Sequence, residues 1–326
     1  MEQPRIGITL GDPAGIGPEI TAKAIAASGF QPDGLILVGN KRNFEDVVKM
    51  LRIDSSLFSG IQFIDIPSKP VKMGEVSKEA GRVAIQSIEM ATSLALSGRI
   101  HGLCTAPISK EAIILAGSRY IDHTTMLQSL TGSRSVTTVF ESGRLRIVFM
   151  TKHMPLKEAV GSVTKENVGR SIRQADYALK CLGSERRRIV VAALNPHAGE
   201  QGILGNEEKD EIAPAVKEMR GLYDVHGPLA ADSVFHLAAT GEYDIVLSLY
   251  HDQGHIAAKM LDFNGTVSMN IGLPFLRTSV DHGTAFDIAG RGTADATSMH
   301  NAIVKCMVYS AKYLNNFRTI DQSAIP

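Results

Sequence analysis

Residues 5–19 read RIGITLGDPAGIGPE, a short β-branched run followed by a glycine-rich turn and the start of a helix. Pro18 suits the first helical turn, where its missing N–H costs nothing, and Glu19 complements the positive end of that helix. A second apolar run follows at residues 34–39 (GLILVG). Strand, glycine turn, helix and strand in this order predict an α/β fold with a largely parallel sheet.

The rest of the chain continues this alternation of short apolar runs and longer amphipathic segments. We predict helices at residues 18–27, 79–97, 165–182 and 297–314. We predict strands at residues 5–10, 34–39, 101–105, 188–194 and 244–249, and a hairpin of strands at 136–140 and 145–150. A chain of 326 residues is long enough for two domains.

The composition excludes several functional classes. The 34 basic and 34 acidic residues give a formal net charge of zero, which argues against a nucleic-acid-binding protein. Cys104, Cys181 and Cys306 lie far apart, in no pattern typical of disulfide scaffolds or cysteine zinc sites. No apolar run approaches the roughly 20 residues that span a bilayer, and no signal-peptide pattern is present. We expect a cytoplasmic protein without nucleic-acid or membrane partners.

The glycine-rich turn brings backbone close to any ligand bound there, but it is not the dinucleotide fingerprint. Counting G-x-G-x-x-G from Gly15 and Gly17, the last position is Ile20, and no acidic residue ends the second predicted strand. A ligand-binding loop and a plain tight turn are both consistent with these residues.

Three histidines, His153, His197 and His251, each follow a predicted strand by a few residues. Ligands of open α/β sheets bind beyond the carboxyl ends of strands, so neighbouring strands would bring the three imidazoles together. Three neutral histidines with an open position bind a divalent metal that acts as a Lewis acid. A lone histidine is more often structural, but three in equivalent positions favour a shared site.

A second group of residues suits an anion. His123 and Thr124 lie in a polar loop before an apolar helical run, where hydroxyls and helix amides can bind phosphate. Lys259 and Arg277 stand in otherwise apolar segments, and arginine can bind carboxylate or phosphate through two hydrogen bonds. These residues predict a carboxylate or phosphate site.

Four motifs resemble the 4-hydroxythreonine-4-phosphate dehydrogenase (PdxA-type) family of vitamin B6 biosynthesis, which includes D-threonate and D-erythronate 4-phosphate dehydrogenases. They are residues 11–19, 195–200 (NPHAGE), 250–254 (YHDQG) and 272–283 (GLPFLRTSVDHG). The resemblance runs essentially end to end. It implies two α/β domains around a central cleft, in a fold resembling isocitrate and isopropylmalate dehydrogenases. The first domain would comprise residues 1–130 and 278–326, with cofactor-binding segments. The second would comprise residues 131–277, with the metal loops and the dimer interface.

The resemblance also assigns roles to individual residues. It makes His153, His197 and His251 the ligands of one divalent metal (Zn, Mg, Mn or Co), shared across a homodimer interface. It places substrate at His123, Thr124, Lys259, Ser268, Asn270 and Arg277, with Lys259 and Asp232 as catalytic candidates. Residues 281–292 resemble the adenosine-binding loop of β-decarboxylating dehydrogenases, which implies cofactor contacts at Gly11, Asp12, Gly15, Gly17, His282, Gly283, Thr284 and Asp287.

Two positions depart from the family pattern. Ser268 stands where the family usually has an asparagine, and Asn270 lies two residues on, which is the same face of a strand. Asp122 stands where a glycine usually precedes the His-Thr pair. Both departures affect which substrate is expected.

The implied reaction is NAD- or NADP-dependent oxidation of a small phosphorylated hydroxy acid, followed by loss of carbon dioxide. The first expectation is 4-phosphooxy-L-threonine, which gives 3-amino-2-oxopropyl phosphate. The alternative is D-threonate or D-erythronate 4-phosphate, which gives dihydroxyacetone phosphate. A metal-dependent hydrolase or lyase without a nicotinamide is an alternative of another class, and a non-catalytic metabolite-binding protein is a third.

Overall fold

The computed structural model describes residues 4–320 of the chain. Its strands are β1 (Ile6–Thr9), β2 (Leu35–Gly39), β3 (Gln62–Asp65), β4 (Gly102–Thr105), β5 (Thr137–Ser142), β6 (Leu145–Phe149), β7 (Ile189–Ala192), β8 (Val225–Leu229), β9 (Ile245–Ser248), β10 (Val267–Ile271) and β11 (Leu276–Val280). Its α-helices are α1 (Gly17–Ala26), α2 (Lys41–Met50), α3 (Lys78–Leu96), α4 (Lys110–Leu115), α5 (His123–Thr131), α6 (Leu156–Gly161), α7 (Lys165–Cys181), α8 (Ala213–Met219), α9 (Ala231–Thr240), α10 (His251–Leu261) and α11 (Thr297–Thr319).

The chain divides into two compact units. The first contains the described residues up to Val136 together with Gly272–Phe317, and the second contains Thr137–Ile271 with the described residues from Arg318 onward. In the first unit the strands lie in the order β3-β2-β1-β4-β11, and each neighbouring pair is parallel. The strands β1, β2, β4 and β11 are buried along their whole length, as expected for parallel strands covered on both faces.

The long helix α3 covers the first unit's sheet, packing against β1, β2 and β4. Ser77 caps it by accepting a hydrogen bond from the Ala80 amide at 3.1 Å. Its apolar face contributes Val83, Ile88, Ala91 and Leu94 to the main core of this unit. The strands β1 and β4, which lead into the glycine turn and the loop after Thr105, are therefore packed against this helix.

In the second unit the strands lie in the order β10-β5-β6-β9-β7-β8. The β10–β5 and β5–β6 pairs are antiparallel, and β6, β9, β7 and β8 run parallel. The strands β6, β9 and β7 are therefore adjacent and point the same way. The segments that follow them, which carry the three histidines, leave the sheet at one edge.

The sequence predicted the α/β class, the hairpin of β5 and β6, and the helices α1, α3, α7 and α11 correctly, with ends that differ by a few residues. It assigned no element to the strands β3, β8, β10 and β11, nor to the helices α2, α4, α6, α8, α9 and α10. Within residues 4–320, no helix is both long and apolar enough to cross a membrane.

Candidate active site

The first unit contains a small cavity at the ends of β4 and β11. Its volume is about 190 Å³, and its lining includes Thr105, Lys110, Asp122, His123 and Arg277. Both Arg277 and His123 are buried, although they carry polar groups. The guanidinium of Arg277 donates hydrogen bonds from Nε (3.0 Å) and Nη2 (2.7 Å) to Thr105 Oγ1. A fixed, buried cation therefore lies on the cavity wall.

The charge states of these two side chains suit an anion. Burial, together with the charge of Arg277, holds the pKa of His123 well below its usual range, so its imidazole is neutral at neutral pH. Burial lowers the pKa of Arg277 to about 10, which still leaves it protonated. Among the described residues, none forms a hydrogen bond with the buried Nε2 of His123. A buried polar atom without a partner is costly, so a ligand that forms a hydrogen bond with Nε2 would stabilise the site.

The residue before His123 has a role that the sequence did not indicate. Asp122 is the N-cap of α5, and its Oδ1 accepts hydrogen bonds from the amide (2.8 Å) and hydroxyl (2.9 Å) of Thr125. His123 and Thr124 are thus the first residues of a helix rather than a loop. The half-buried Thr124 lies beside the cavity-lining His123 in the chain.

The two segments assigned to the cofactor meet within the first unit. The amide of Ile16, in the glycine turn, donates to the carbonyl of Thr284 at 3.0 Å. A Cβ on Gly15 would lie 2.9 Å from Thr284 Cβ, and one on Gly17 would lie 2.2 Å from the Leu10 carbonyl oxygen. Only glycine allows this approach. His282, Gly283 and Asp287 are exposed, and a Cβ on Gly283 would meet open space.

Gly11 and Asp12 complete this turn. Gly11 has a φ of +71°, and a Cβ there would lie 2.2 Å from the Pro107 carbonyl oxygen. Asp12 is fully buried, and its Oδ1 accepts a hydrogen bond from the Ala14 amide at 2.8 Å. Its Oδ2 has no hydrogen-bond partner within residues 4–320. Burial raises the pKa of this carboxyl to about 6, although two backbone amides oppose the change.

In the second unit, two of the three histidines lie together. The rings of His153 and His251 have centroids 5.5 Å apart, and both line a cavity of about 360 Å³. Asp252 Oδ1 lies 2.6 Å from His251 Nδ1, which fixes the proton on that nitrogen and leaves Nε2 available as a ligand. The ring of His255 stacks on His251 at 3.7 Å between centroids. His251 is thus oriented from two sides.

The third histidine, His197, lies on an unusual turn. Residues 197–201 all have positive φ, so an exposed left-handed turn follows β7. Glu208 supports the start of this turn, because its Oε1 accepts from the amides of Leu194 (2.8 Å) and Asn195 (2.7 Å). Within the described residues, no three His, Cys, Asp or Glu side chains lie close enough to hold one metal ion. Among these residues, His197 is therefore not grouped with His153 and His251.

The remaining predicted residues also lie in the second unit. Ser268 and Asn270 are buried on one face of β10, and the ammonium of Lys259 lies 5.2 Å from the Phe263 ring centroid. Asp232 is exposed in the first turn of α9, a helix that packs against the turn carrying His197. The sequence prediction omitted Lys152, which lines the same cavity as His153 and His251. Its position directly before His153 was the available signal.

Comparisons with known proteins agree on one family. The model of the family "Pyridoxal phosphate biosynthetic protein PdxA" matches residues 23–306. A protein of Halalkalibacterium halodurans, provisionally named D-threonate 4-phosphate dehydrogenase, is 44% identical over 98% of this chain and 99% of its own length. A protein of Cutibacterium acnes with the same provisional name is 46% identical over 92% of each chain.

A solved structure indicates the same family. The crystal structure of 4-hydroxythreonine-4-phosphate dehydrogenase from Klebsiella pneumoniae superposes with a TM-score of 0.84 at 38% identity, covering 94% of this chain and 99% of that one. The relatives are dehydrogenases, which makes this chain an oxidoreductase acting on an alcohol carbon. The chain therefore belongs to the PdxA family.

Proposed function

We propose that the chain catalyses the NAD- and metal-dependent oxidative decarboxylation of a 4-phosphorylated four-carbon 3-hydroxy acid, with D-threonate 4-phosphate as the preferred substrate. The observation that carries this proposal is the cavity of the first unit. There a buried guanidinium, Arg277, lies beside the buried imidazole of His123, whose Nε2 lacks a partner among the described residues. The names of the relatives from H. halodurans and C. acnes support the choice of substrate.

The cavity would bind the phosphate group of the substrate. Arg277 supplies charge-assisted hydrogen bonds, and the neutral His123 donates from Nε2. Phosphate binding lies away from the reacting carbon, so it contributes binding energy that orients the substrate. The exposed Lys110 adds positive charge at the rim.

His153, His197 and His251 would hold the metal. Imidazole nitrogens are ligands that divalent transition metals accept readily, and Asp252 already orients His251 for this purpose. The metal would supply Lewis acidity at the alcohol and carbonyl oxygens, and NAD would accept the hydride. Lys259 and Asp232 remain our candidates for proton transfer or for contact with the carboxylate.

We propose that the functional form is a homodimer in which a second copy completes the metal site. Each of the three histidines assigned to the metal is followed by large exposed apolar side chains, and clustered exposed apolar side chains often mark a protein interface. These are Met154 and Leu156 after His153, Ile203 and Leu204 after His197, and Ile256, Met260 and Phe263 after His251. Light scattering should give twice the monomer mass. A monomer that binds a full complement of metal would contradict this proposal.

NAD would bind to the first unit, along the glycine turn and residues 282–284. The contact of Gly15 with Thr284 supports this, because the two segments already form one surface. A metal-dependent hydrolase or lyase would not need this surface. Stabilisation of the protein by NAD in a thermal-shift assay supports the dehydrogenase, and no response supports the hydrolase or lyase.

The decisive experiment follows NADH formation with NAD and a divalent metal. D-threonate 4-phosphate, D-erythronate 4-phosphate and 4-phosphooxy-L-threonine are offered separately, with and without a chelator. We expect metal-dependent NADH from D-threonate 4-phosphate above all. Turnover of the amino acid alone would place the chain with 4-hydroxythreonine-4-phosphate dehydrogenases instead, and no turnover of any of the three would refute the proposal.

Arg277→Met tests the phosphate site. We expect the KM for the substrate to rise about tenfold to a hundredfold, because a buried charge-assisted hydrogen bond contributes about 1.5–3 kcal/mol. The KM for NAD should stay unchanged. Arg99→Met, at an exposed arginine of the same unit, is the matched control and should behave like the unaltered protein.

A further inference from the structure

A polar cluster in the second unit joins Asn270 to two residues that have no role assigned so far, Lys152 and Thr138. The ammonium of Lys152 donates to Thr138 Oγ1 at 2.9 Å, and the side-chain amide of Asn270 donates to the same oxygen at 3.3 Å. Thr138 on β5 and Asn270 on β10 are directly opposed partners in the antiparallel pair. Opposed residues project from the same face of a sheet, so the strand pair fixes the point at which Lys152 is held.

Lys152 is also part of the histidine cavity. It lines the cavity of about 360 Å³ together with His153, His251 and Asp252. Asp252 Oδ1 lies 2.6 Å from His251 Nδ1, so that carboxylate is engaged with the histidine. Lys152 is half-buried, and its anchor on Thr138 keeps the ammonium at the cavity wall.

We propose that Lys152 selects 2-hydroxy acids over 2-amino acids at this site. The inference rests on the proposed function, because it concerns the substrate of that reaction. The two classes of candidate substrate share a carboxylate, a 3-hydroxyl and a phosphate, and they differ at C2, which carries hydroxyl in one class and ammonium in the other. A fixed cation repels only the ammonium.

The chemistry brings C2 into the range of this cation. If His153 and His251 help to hold the metal, the 3-hydroxyl would lie near them, and C2 is bonded to the carbon that carries this hydroxyl. C2 and its substituent would then enter the cavity that Lys152 lines with these two histidines. Like charges that share one partly desolvated cavity repel each other, even when solvent screens part of the interaction. Lys152 should favour the hydroxy acid by about tenfold or more.

The test compares Lys152→Met with the unaltered protein on D-threonate 4-phosphate and 4-phosphooxy-L-threonine. We measure kcat/KM in the full reaction, and Kd by calorimetry on the metal-loaded protein without NAD, where no turnover occurs. We expect the preference for the hydroxy acid to fall about tenfold or more in both measurements. Lys152→Arg retains the charge and should retain the preference.

The matched control is Lys157→Met, which removes an exposed lysine from the adjacent helix α6 and should leave the preference unchanged. Equal losses on both substrates in Lys152→Met would overturn the inference, because they indicate a role in orientation or folding. An unchanged preference would overturn it as well. If Lys152→Met does not fold, Lys152→Gln and Lys152→Arg are compared instead. Loss of the preference in Lys152→Gln but not in Lys152→Arg supports the inference. An equal preference in the two variants overturns it. Inactivity of the unaltered protein on every substrate would instead refute the proposed function.

Discussion

Replacing the buried Asp12 by asparagine should change how the stability of the protein depends on pH. Burial raises the pKa of the Asp12 carboxyl from 3.8 to about 6. The folded protein therefore binds a proton more tightly than the unfolded chain does, so its stability falls as pH rises. This contribution is fully present below 3.8 and is lost as pH rises through about 6.

The size of the effect follows from the two pKa values. A change from 3.8 to about 6 corresponds to about 3 kcal/mol. Between about pH 4.5 and about pH 7.5, roughly 2 kcal/mol of it should be visible. Asparagine keeps an acceptor for the Ala14 amide but does not titrate. The stability of Asp12→Asn relative to the unaltered protein should therefore rise by roughly 2 kcal/mol over this range.

Urea unfolding of both proteins at the two pH values measures this difference directly. Asp46→Asn removes an exposed carboxylate from α2 and serves as the control, for which we expect parallel curves. If the free energy of unfolding of Asp12→Asn changes with pH as that of the unaltered protein does, the carboxyl is not desolvated and the reasoning fails. A difference of the opposite sign would mean that Asp12 has a cationic partner in the folded protein.

Two further variants test the glycine turn and the His197 turn. Gly15→Ala places a methyl group 2.9 Å from Thr284 Cβ, so we expect a loss of about 1–3 kcal/mol in stability and a higher KM for NAD. The control Gly283→Ala places its methyl group in open space and should keep the thermal midpoint of the unaltered protein. Glu208→Gln replaces an acceptor of two backbone amides, so we expect a loss of about 1–3 kcal/mol and a lower metal content by elemental analysis. Exposed Asp210→Asn should change neither quantity, and full metal content in Glu208→Gln would contradict this role.

The placement of the three histidine segments could be predicted from the sequence because it depends on strand order alone. Each of His153, His197 and His251 follows a short apolar strand, and those strands prove to be the adjacent parallel strands β6, β7 and β9. The assignment of the glycine turn and residues 282–287 to a nicotinamide cofactor required a resemblance, since nothing in the local spacing of these residues indicates it. The two segments meet at Ile16 and Thr284. This contact is long-range, so no local sequence pattern predicts it.

Other features depend on contacts that a single sequence does not reveal. The left-handed turn of residues 197–201 includes Ala198 and Gln201, whose intrinsic preference opposes positive φ by about 1–2 kcal/mol each. A buried carboxylate, Glu208, accepts the amides where the turn begins, and it lies more than ten residues further along the chain. Likewise, Lys152 and Asn270 meet at Thr138 only because β10 pairs with β5.

Asp122, a departure from the family pattern, carries a negative charge and yet is compatible with anion binding in the first unit's cavity. Its carboxylate lies on the wall of the first unit's cavity, where it would repel a phosphate. The same carboxylate caps α5 through the Thr125 amide, and an N-cap of this kind contributes about 1 kcal/mol to helix stability. The helix in turn carries His123, so the cap fixes one of the groups that would bind the anion. The positive charges of Arg277 and Lys110 outnumber the single negative charge of Asp122 on the cavity wall, which leaves the cavity attractive to a phosphate while its imidazole is held in place.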